Sequence, residues 1–235
     1  MNFDITPNSV DELVFGDANS KTLLTSITSG AMPFPFGGKT AFMLYGVFGT
    51  GKTTAASIIC DELEMALSGA QLNAQPHWTD CDGTDSFVST LKIVEQQRQL
   101  VSFNKSGLHY FIFDEVDNLT ALAQRKLKLF LNHKNVVCVF TTNYLHKVDE
   151  GVRDRCFLLN FNAGSYQLVL ERVKSVLVAN HLPLPDDQVL LQRISNTDGS
   201  WRDIWAAVAS LVSSLQPSPP NRAARAVKSS HLRIV

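Results

Sequence analysis

The octapeptide Gly46-Val47-Phe48-Gly49-Thr50-Gly51-Lys52-Thr53 constrains the fold of this chain more than any other feature. It fits G-x-x-x-x-G-K-[ST] at every position. Its glycines permit the backbone angles that turn successive N–H groups inward around an anion. The apolar run Thr40–Tyr45 (TAFMLY) before it reads as a buried strand. Thr53–Leu67 after it, rich in alanine, isoleucine, leucine and glutamate, reads as a helix. A strand, a glycine loop and a helix with its positive dipole end at the loop make a cradle for a polyphosphate. There Lys52 supplies charge to the β and γ groups, and the Thr53 hydroxyl is placed to ligate Mg²⁺. Gly46, Val47, Phe48, Gly49, Thr50, Gly51 and Thr54 complete the expected ATP-binding set.

The rest of the chain supplies the sheet that such a loop needs. His109–Phe113 (HYFIF) reads as a strand ending in Asp114 and Glu115, and Val136–Phe140 (VVCVF) as one ending in Thr141, Thr142 and Asn143. Phe157–Phe161 is a further strand, and Pro76–Asp80 a possible short one followed by a polar loop at Asp82–Asp85. Between them, Phe87–Val101 and Ala121–Asn132 carry helical patterns. Ser9–Ser29 mixes helical and irregular signals, with a turn or N-cap at Asp17–Ser20, and Gly30–Gly38 is a loop. Strands alternating with helices imply parallel βαβ units with right-handed crossovers. Ligands in such sheets bind beyond the carboxyl ends of the strands, where the glycine loop, the acidic pair and the Thr-Thr-Asn cluster all fall.

After Asn162 the strand signal stops. Tyr166–Ala179, Pro185–Ser195 and Trp201–Leu215 read as three helices. The expected organisation is an α/β core over residues 1–162, a small helical lid over 163–215, and a flexible Pro/Ser-containing tail over 216–235 with Arg222, Arg225, Lys228, His231 and Arg233.

Several residues at the strand ends have chemistry suited to a bound triphosphate. Asp114 is placed to hold Mg²⁺ through water, and Glu115 to polarise an attacking water. Asn143 offers a neutral amide to the γ-phosphate or the water, although an asparagine there also serves as a turn or cap. Arg153 and Arg155 precede the last strand, where one arginine is positioned to reach a neighbouring subunit's γ-phosphate and stabilise transition-state charge. Arg202 opens the last helix, where its sign opposes the helix dipole; contact with phosphate would explain that conflict.

The formal net charge of −1 means that any basic surface must be local. Cys60, Cys81, Cys138 and Cys156 form no CxxC pair, and Cys138 and Cys156 lie in or beside apolar runs as buried thiols. A reducing, cytoplasmic setting is expected; the N-terminus lacks a signal-peptide pattern and no apolar run is long enough for a bilayer.

These motifs, in this order, resemble the AAA+ superfamily of P-loop NTPases. Within it the chain is most similar to the small ATPase subunits of sliding-clamp loaders (the replication factor C and phage type), from about Pro7 to Leu215. Pro7–Phe15 looks like the segment near the adenine, and Gly30-Ala31-Met32-Pro33 like the step before the first strand. Asp80–Val88 looks like the polar turn after the second strand, and Leu119–Leu127 like the helix after the Walker B strand. Gly46–Thr53 matches Walker A, Asp114-Glu115-Val116-Asp117 Walker B, Thr141-Thr142-Asn143 sensor 1, and Gly199–Arg202 sensor 2. Asp154-Arg155-Cys156 resembles Ser-Arg-Cys, with Asp154 in place of the serine and the finger arginine kept.

The resemblance implies assembly with other AAA+ subunits in a ring or spiral, ATP at their interfaces, a sliding clamp as client and primer–template DNA as partner. Lys126 and Lys128 would then face DNA phosphates or form a solvated helix face. Loader subunits continue into a helical collar, whereas a short tail follows Leu215 here, so assembly is expected to rest on ATPase interfaces, a partner or DNA. The second reading is a recruiter for transposition or helicase loading that forms ATP-dependent filaments or rings on duplex DNA. Compactness suggests a viral or mobile-element origin.

Overall fold

Side-chain alternation along the first strand sets the layout. In the computed structural model, which describes residues 4–81, 87–162 and 164–215, β1 (Ala41–Tyr45) turns Phe42 and Leu44 to one face and Ala41 and Met43 to the other, all fully buried. A strand buried on both faces belongs inside a sheet covered on both sides. The other strands are β2 (His77–Asp80), β3 (His109–Asp114), β4 (Val136–Thr142) and β5 (Cys156–Asn160), and the order is β2-β3-β4-β1-β5, parallel throughout.

One face is covered by α1 (Ala18–Thr28) and α2 (Lys52–Ser68), whose Leu24, Ile27, Ile59 and Leu63 join Phe42, Leu44, Ile112 and Val139. The other is covered by α3 (Phe87–Gln97) and α4 (Ala121–Phe130), where Leu91, Val94, Leu127 and Phe130 meet Met43, Phe111, Phe113 and Phe140. The one-turn helix α5 (Glu150–Arg153) leads into β5. Three helices follow, α6 (Tyr166–Ala179), α7 (Asp187–Ser195) and α8 (Trp201–Leu215), and they bury their own cluster of Val173, Leu177, Leu190, Ile204, Val208 and Val212.

The N-terminal segment ties the two parts together. Val10, Leu13 and Phe15 lie in the core on the α2 face, while Ile5 and Val14 pack against the three-helix cluster. Polar contacts repeat the pattern: the Val10 N–H donates to Glu62 Oε1 (2.7 Å), and Arg172 of α6 pairs with Glu12 (3.1 Å).

Most expected boundaries hold within two residues. The clearest difference is α3, which ends at Gln97 rather than Val101. The N–H groups of Gln99 and Leu100 bond three residues back, to Gln96 and Gln97, so the last turn tightens and the chain leaves the helix. His77–Asp80, within the expected Pro76–Asp80, forms an edge strand, and Asp17 caps α1 through the Ser20 N–H, as its sequence suggests. All four cysteines are buried. Among the described residues, no helix is long and apolar enough to cross a membrane. The loop Asp82–Asp85, part of the Asp80–Val88 turn, and the tail with Arg222, Arg225, Lys228, His231 and Arg233 lie outside the described residues.

Candidate nucleotide site

Gly46 to Gly51 connect β1 to α2 at the carboxyl end of the sheet. Two glycines there have steric reasons. A Cβ on Gly46 would come within 2.6 Å of the Phe161–Asn162 backbone, and one on Gly49 (φ +75°) would overlap the Ser200 hydroxyl. Gly51, also at positive φ, caps α2, whose unpaired N–H groups then face the loop's concavity.

Lys52, the first residue of α2, is only 7% exposed. Its Nζ donates to the carbonyls of Gly46 (2.8 Å) and Val47 (2.7 Å). Burial lowers its pKa to about 8, against the opposing pull of Asp114, Asp117 and Glu115. An ammonium held this way gains a stronger partner when a phosphate enters.

Beside the loop, β3 and β4 deliver the acids and their supports. Thr53 Oγ1 lies 3.3 and 3.4 Å from the two Asp114 carboxylate oxygens, a pair of hard oxygen donors suited to Mg²⁺. Thr141 links the acids: its hydroxyl donates to Asp114 and accepts from the Glu115 N–H (3.0 Å). Glu115 has a left-handed backbone (φ 57°, ψ 49°), unusual for a residue with a side chain and a mark of functional sites. Its carboxylate accepts from Asn118 Nδ2 (3.2 Å) and, at 3.5 Å, from Asn143 Nδ2. Asp117 accepts from the Thr142 hydroxyl (2.6 Å) and the Asn143 N–H (3.1 Å), which fixes where Asn143 sits.

A cavity of about 450 Å³ opens over this arrangement, a size usual for small-molecule sites. Gly49, Thr50, Gly51, Lys52, Thr53, Thr54, Asp114, Glu115, Thr141, Asn143 and Arg202 line its polar part. Ile5, Pro7, Leu13, Val14, Phe161, Trp201 and Trp205 supply apolar walls, with Glu12 and Arg172 beside them. The helical part meets the loop directly: the Trp201 N–H, opening α8, donates to the Gly49 carbonyl (2.9 Å).

The structure thus brings together the expected loop, acidic pair, Asn143 and Arg202, and leaves Arg155 apart. The β1/β5 register pairs Ala41 with Cys156, so Arg155 lies level with Thr40, whose N–H donates to its carbonyl (3.0 Å). Gly46 is six residues further on, about 20 Å at the rise of a strand. Arg155 therefore stands at the opposite end of the sheet from its own phosphate loop. Residue-level reading missed Thr141, Asp117 and Ser200 as supports. Two adjacent hydroxyls at the end of an otherwise apolar run were the available signal for Thr141.

The chain belongs to the ATPase family associated with various cellular activities (AAA), whose model matches residues 42–162. It resembles the small subunits of clamp loaders within that family. It is 27% identical over 173 residues to replication factor C subunit 4 of Encephalitozoon cuniculi, covering 72% of this chain and 51% of the relative. It is 26% identical over 198 residues to replication factor C small subunit 1 of Pyrobaculum arsenaticum, covering 82% and 56%. The chain thus spans a little over half the length of these curated relatives. The Thermotoga maritima RuvB Holliday junction branch migration motor shares the fold, with a TM-score of 0.64 at 18% identity, over 92% of this chain and 69% of that one.

Proposed function

We propose that this protein is a clamp-loader-type ATPase subunit that works on DNA in replication, in assembly with other AAA+ subunits. The carrying observation is that the phosphate loop, the acidic pair, Asn143 and Arg202 meet at one cavity, while Arg155 is held about 20 Å away at the other end of the sheet. Such a site is completed by a neighbour. The likeness to replication factor C subunits supports this reading, in which the client is a sliding clamp and the partner primer–template DNA. Residues 1–162 form the nucleotide-binding part in this reading and 163–215 the lid.

In this reading the geometry supports a role for each residue. The N–H groups of Gly49 to Thr54 cradle the phosphates, and Lys52 moves its charge from the loop carbonyls to the β and γ oxygens. Thr53 and Asp114 would hold Mg²⁺, which would supply positive charge against the phosphates. Glu115 takes a proton from the attacking water, with Asn118 and Asn143 orienting its carboxylate. Arg202 approaches the phosphates from α8, and Arg155 of an adjacent copy stabilises the charge that develops on the γ group.

The test is ATP turnover with primed DNA and a sliding clamp, alone and together, with mass followed by light scattering. Synergistic stimulation and a closed small oligomer are expected. Open-ended assembly on DNA without a clamp effect would mark the filament-forming recruiter instead.

A further inference from the structure

The surroundings of Arg155 go beyond what a surface arginine needs. Its Nη1 donates to the Gly151 carbonyl (2.8 Å) and its Nε to Asn132 Oδ1 (3.2 Å), at the end of α4. Its backbone is held as firmly. Lys39 Nζ donates to the carbonyls on both sides of it, Asp154 (2.9 Å) and Cys156 (2.8 Å). Thr40 donates its N–H to the Arg155 carbonyl (3.0 Å) and its hydroxyl to the Leu131 carbonyl (3.1 Å), joining Arg155 to the segment that carries Asn132. Lys39 and Thr40 precede β1, Asn132 follows α4 and Arg155 precedes β5, so two other chain segments meet at Arg155, one holding its backbone and one its side chain.

A long flexible arginine gains transition-state binding only when its fork is aimed before the partner arrives. We propose that Asn132, with Lys39 and Thr40 behind it, is a positioning residue that aims the Arg155 guanidinium at the triphosphate of an adjacent copy. This rests on the trans-acting role of Arg155 proposed above. Asn132 fixes the Nε side and Gly151 fixes Nη1, which leaves Nη2 as the donor to offer to the neighbour. Asn132 touches no reacting atom, so its effect falls on turnover and not on nucleotide affinity.

Subunit mixing tests both layers separately. Glu115→Gln subunits keep Arg155 but lose their own general base; Arg155→Ala subunits keep the base but lose the arginine. With ATP and primed DNA, activity in the mixture arises where a Glu115→Gln subunit offers its arginine to an Arg155→Ala site. Adding Asn132→Ala to the Glu115→Gln donor is expected to lower kcat about fivefold with an unchanged KM for ATP. The same change in the Arg155→Ala acceptor has no arginine to misalign and leaves the mixture's activity intact. Asn132→Asp in the donor, which still accepts from Nε, should restore turnover. Lys39→Met in the donor should lower kcat at least as far. A donor carrying Asn132→Ala that matches the unmodified donor overturns the positioning role. Arg155→Ala subunits that hydrolyse ATP at the full rate alone, or a mixture that recovers none, overturn the trans reading beneath it.

Discussion

Helix α2 buries a charge near each end, and the two are treated in opposite ways. Lys52 at its start is 7% exposed and Glu64, near its end, is fully buried. Among the described residues, neither is in an ion pair. Glu64 accepts from the Ser68 hydroxyl (2.8 Å), the Ser106 N–H (2.9 Å), the Ser106 hydroxyl and the Tyr110 hydroxyl (2.9 Å). Burial raises the pKa of this carboxyl, yet the bonds from Ser106, Ser68 and Tyr110 outweigh it and hold the value below the usual one. Lys52 has loop carbonyls and little else, and burial wins, with a pKa near 8. A buried charge with every lone pair answered is structural. A buried charge answered only by the rim of a cavity is kept for a ligand.

The largest effect that tests this contrast is on affinity. Lys52→Ala should weaken ATP binding about a thousandfold, roughly 4 kcal/mol. The melting temperature of the nucleotide-free protein should stay within about 2 °C, because the loss of two hydrogen bonds is offset by relief of a desolvated ammonium. Titration with a fluorescent ATP analogue and a thermal melt separate the two quantities. Tight binding in this variant would remove Lys52 from the phosphate site.

Glu64→Ala should show the reverse. It removes the acceptor of the Ser106 N–H and of the Ser106 and Tyr110 hydroxyls, while the Ser68 hydroxyl keeps its bond to the Glu64 carbonyl (3.0 Å). The cost is about 3 kcal/mol, or roughly 6–12 °C in Tm, while the folded fraction binds ATP as before. The loss also has a pH signature. A carboxylate with a lowered folded pKa contributes stability above its unfolded value, 4.5, and loses it as pH falls through the folded value. Wild type should therefore lose more stability than Glu64→Ala on acidification below about pH 4.5. Parallel pH–stability curves would show that folding leaves the Glu64 carboxyl unshifted, and a wild type that gains stability on acidification would show it protonated in the fold.

Glu64 also marks what could and could not be read from the sequence. The phosphate loop was legible because its chemistry lies within eight contiguous residues, with spacing set by the ligand. The buried strands were legible as apolar runs, and Asp114, Glu115 and Asn143 because they end such runs. Glu64 is one glutamate among good helix formers, and only the return of the chain at Ser106 and Tyr110 makes it a knot. Thr141 bridging Asp114 to the Glu115 backbone, and Lys39 bracketing Arg155, are likewise contacts between separate segments without a local pattern. The end of α3 at Gln97 was hidden for a related reason. Leu100 and Val101 prolong the apolar pattern, yet both are exposed and anchor nothing in the core.

The smallest expected effect concerns the proton on Lys52, and it has two signs. In the unfolded chain the lysine keeps its proton to about pH 10.5, and in the empty fold only to about pH 8. Between these values the unfolded state binds more protons, so this group makes the empty protein more stable as pH rises. Bound polyphosphate favours the ammonium and raises its pKa, so the complex holds more protons than the empty site. Affinity is then full below pH 8 and falls above it, by about tenfold between pH 7 and 9. Lys52→Arg is the control, since a guanidinium stays charged throughout and carries no such slope. Affinity measured by titration at each pH, at fixed free Mg²⁺, should decline in the wild type relative to this variant. Equal slopes would mean that Lys52 keeps its proton in the empty site, and the contrast with Glu64 would then rest on hydrogen-bond count alone.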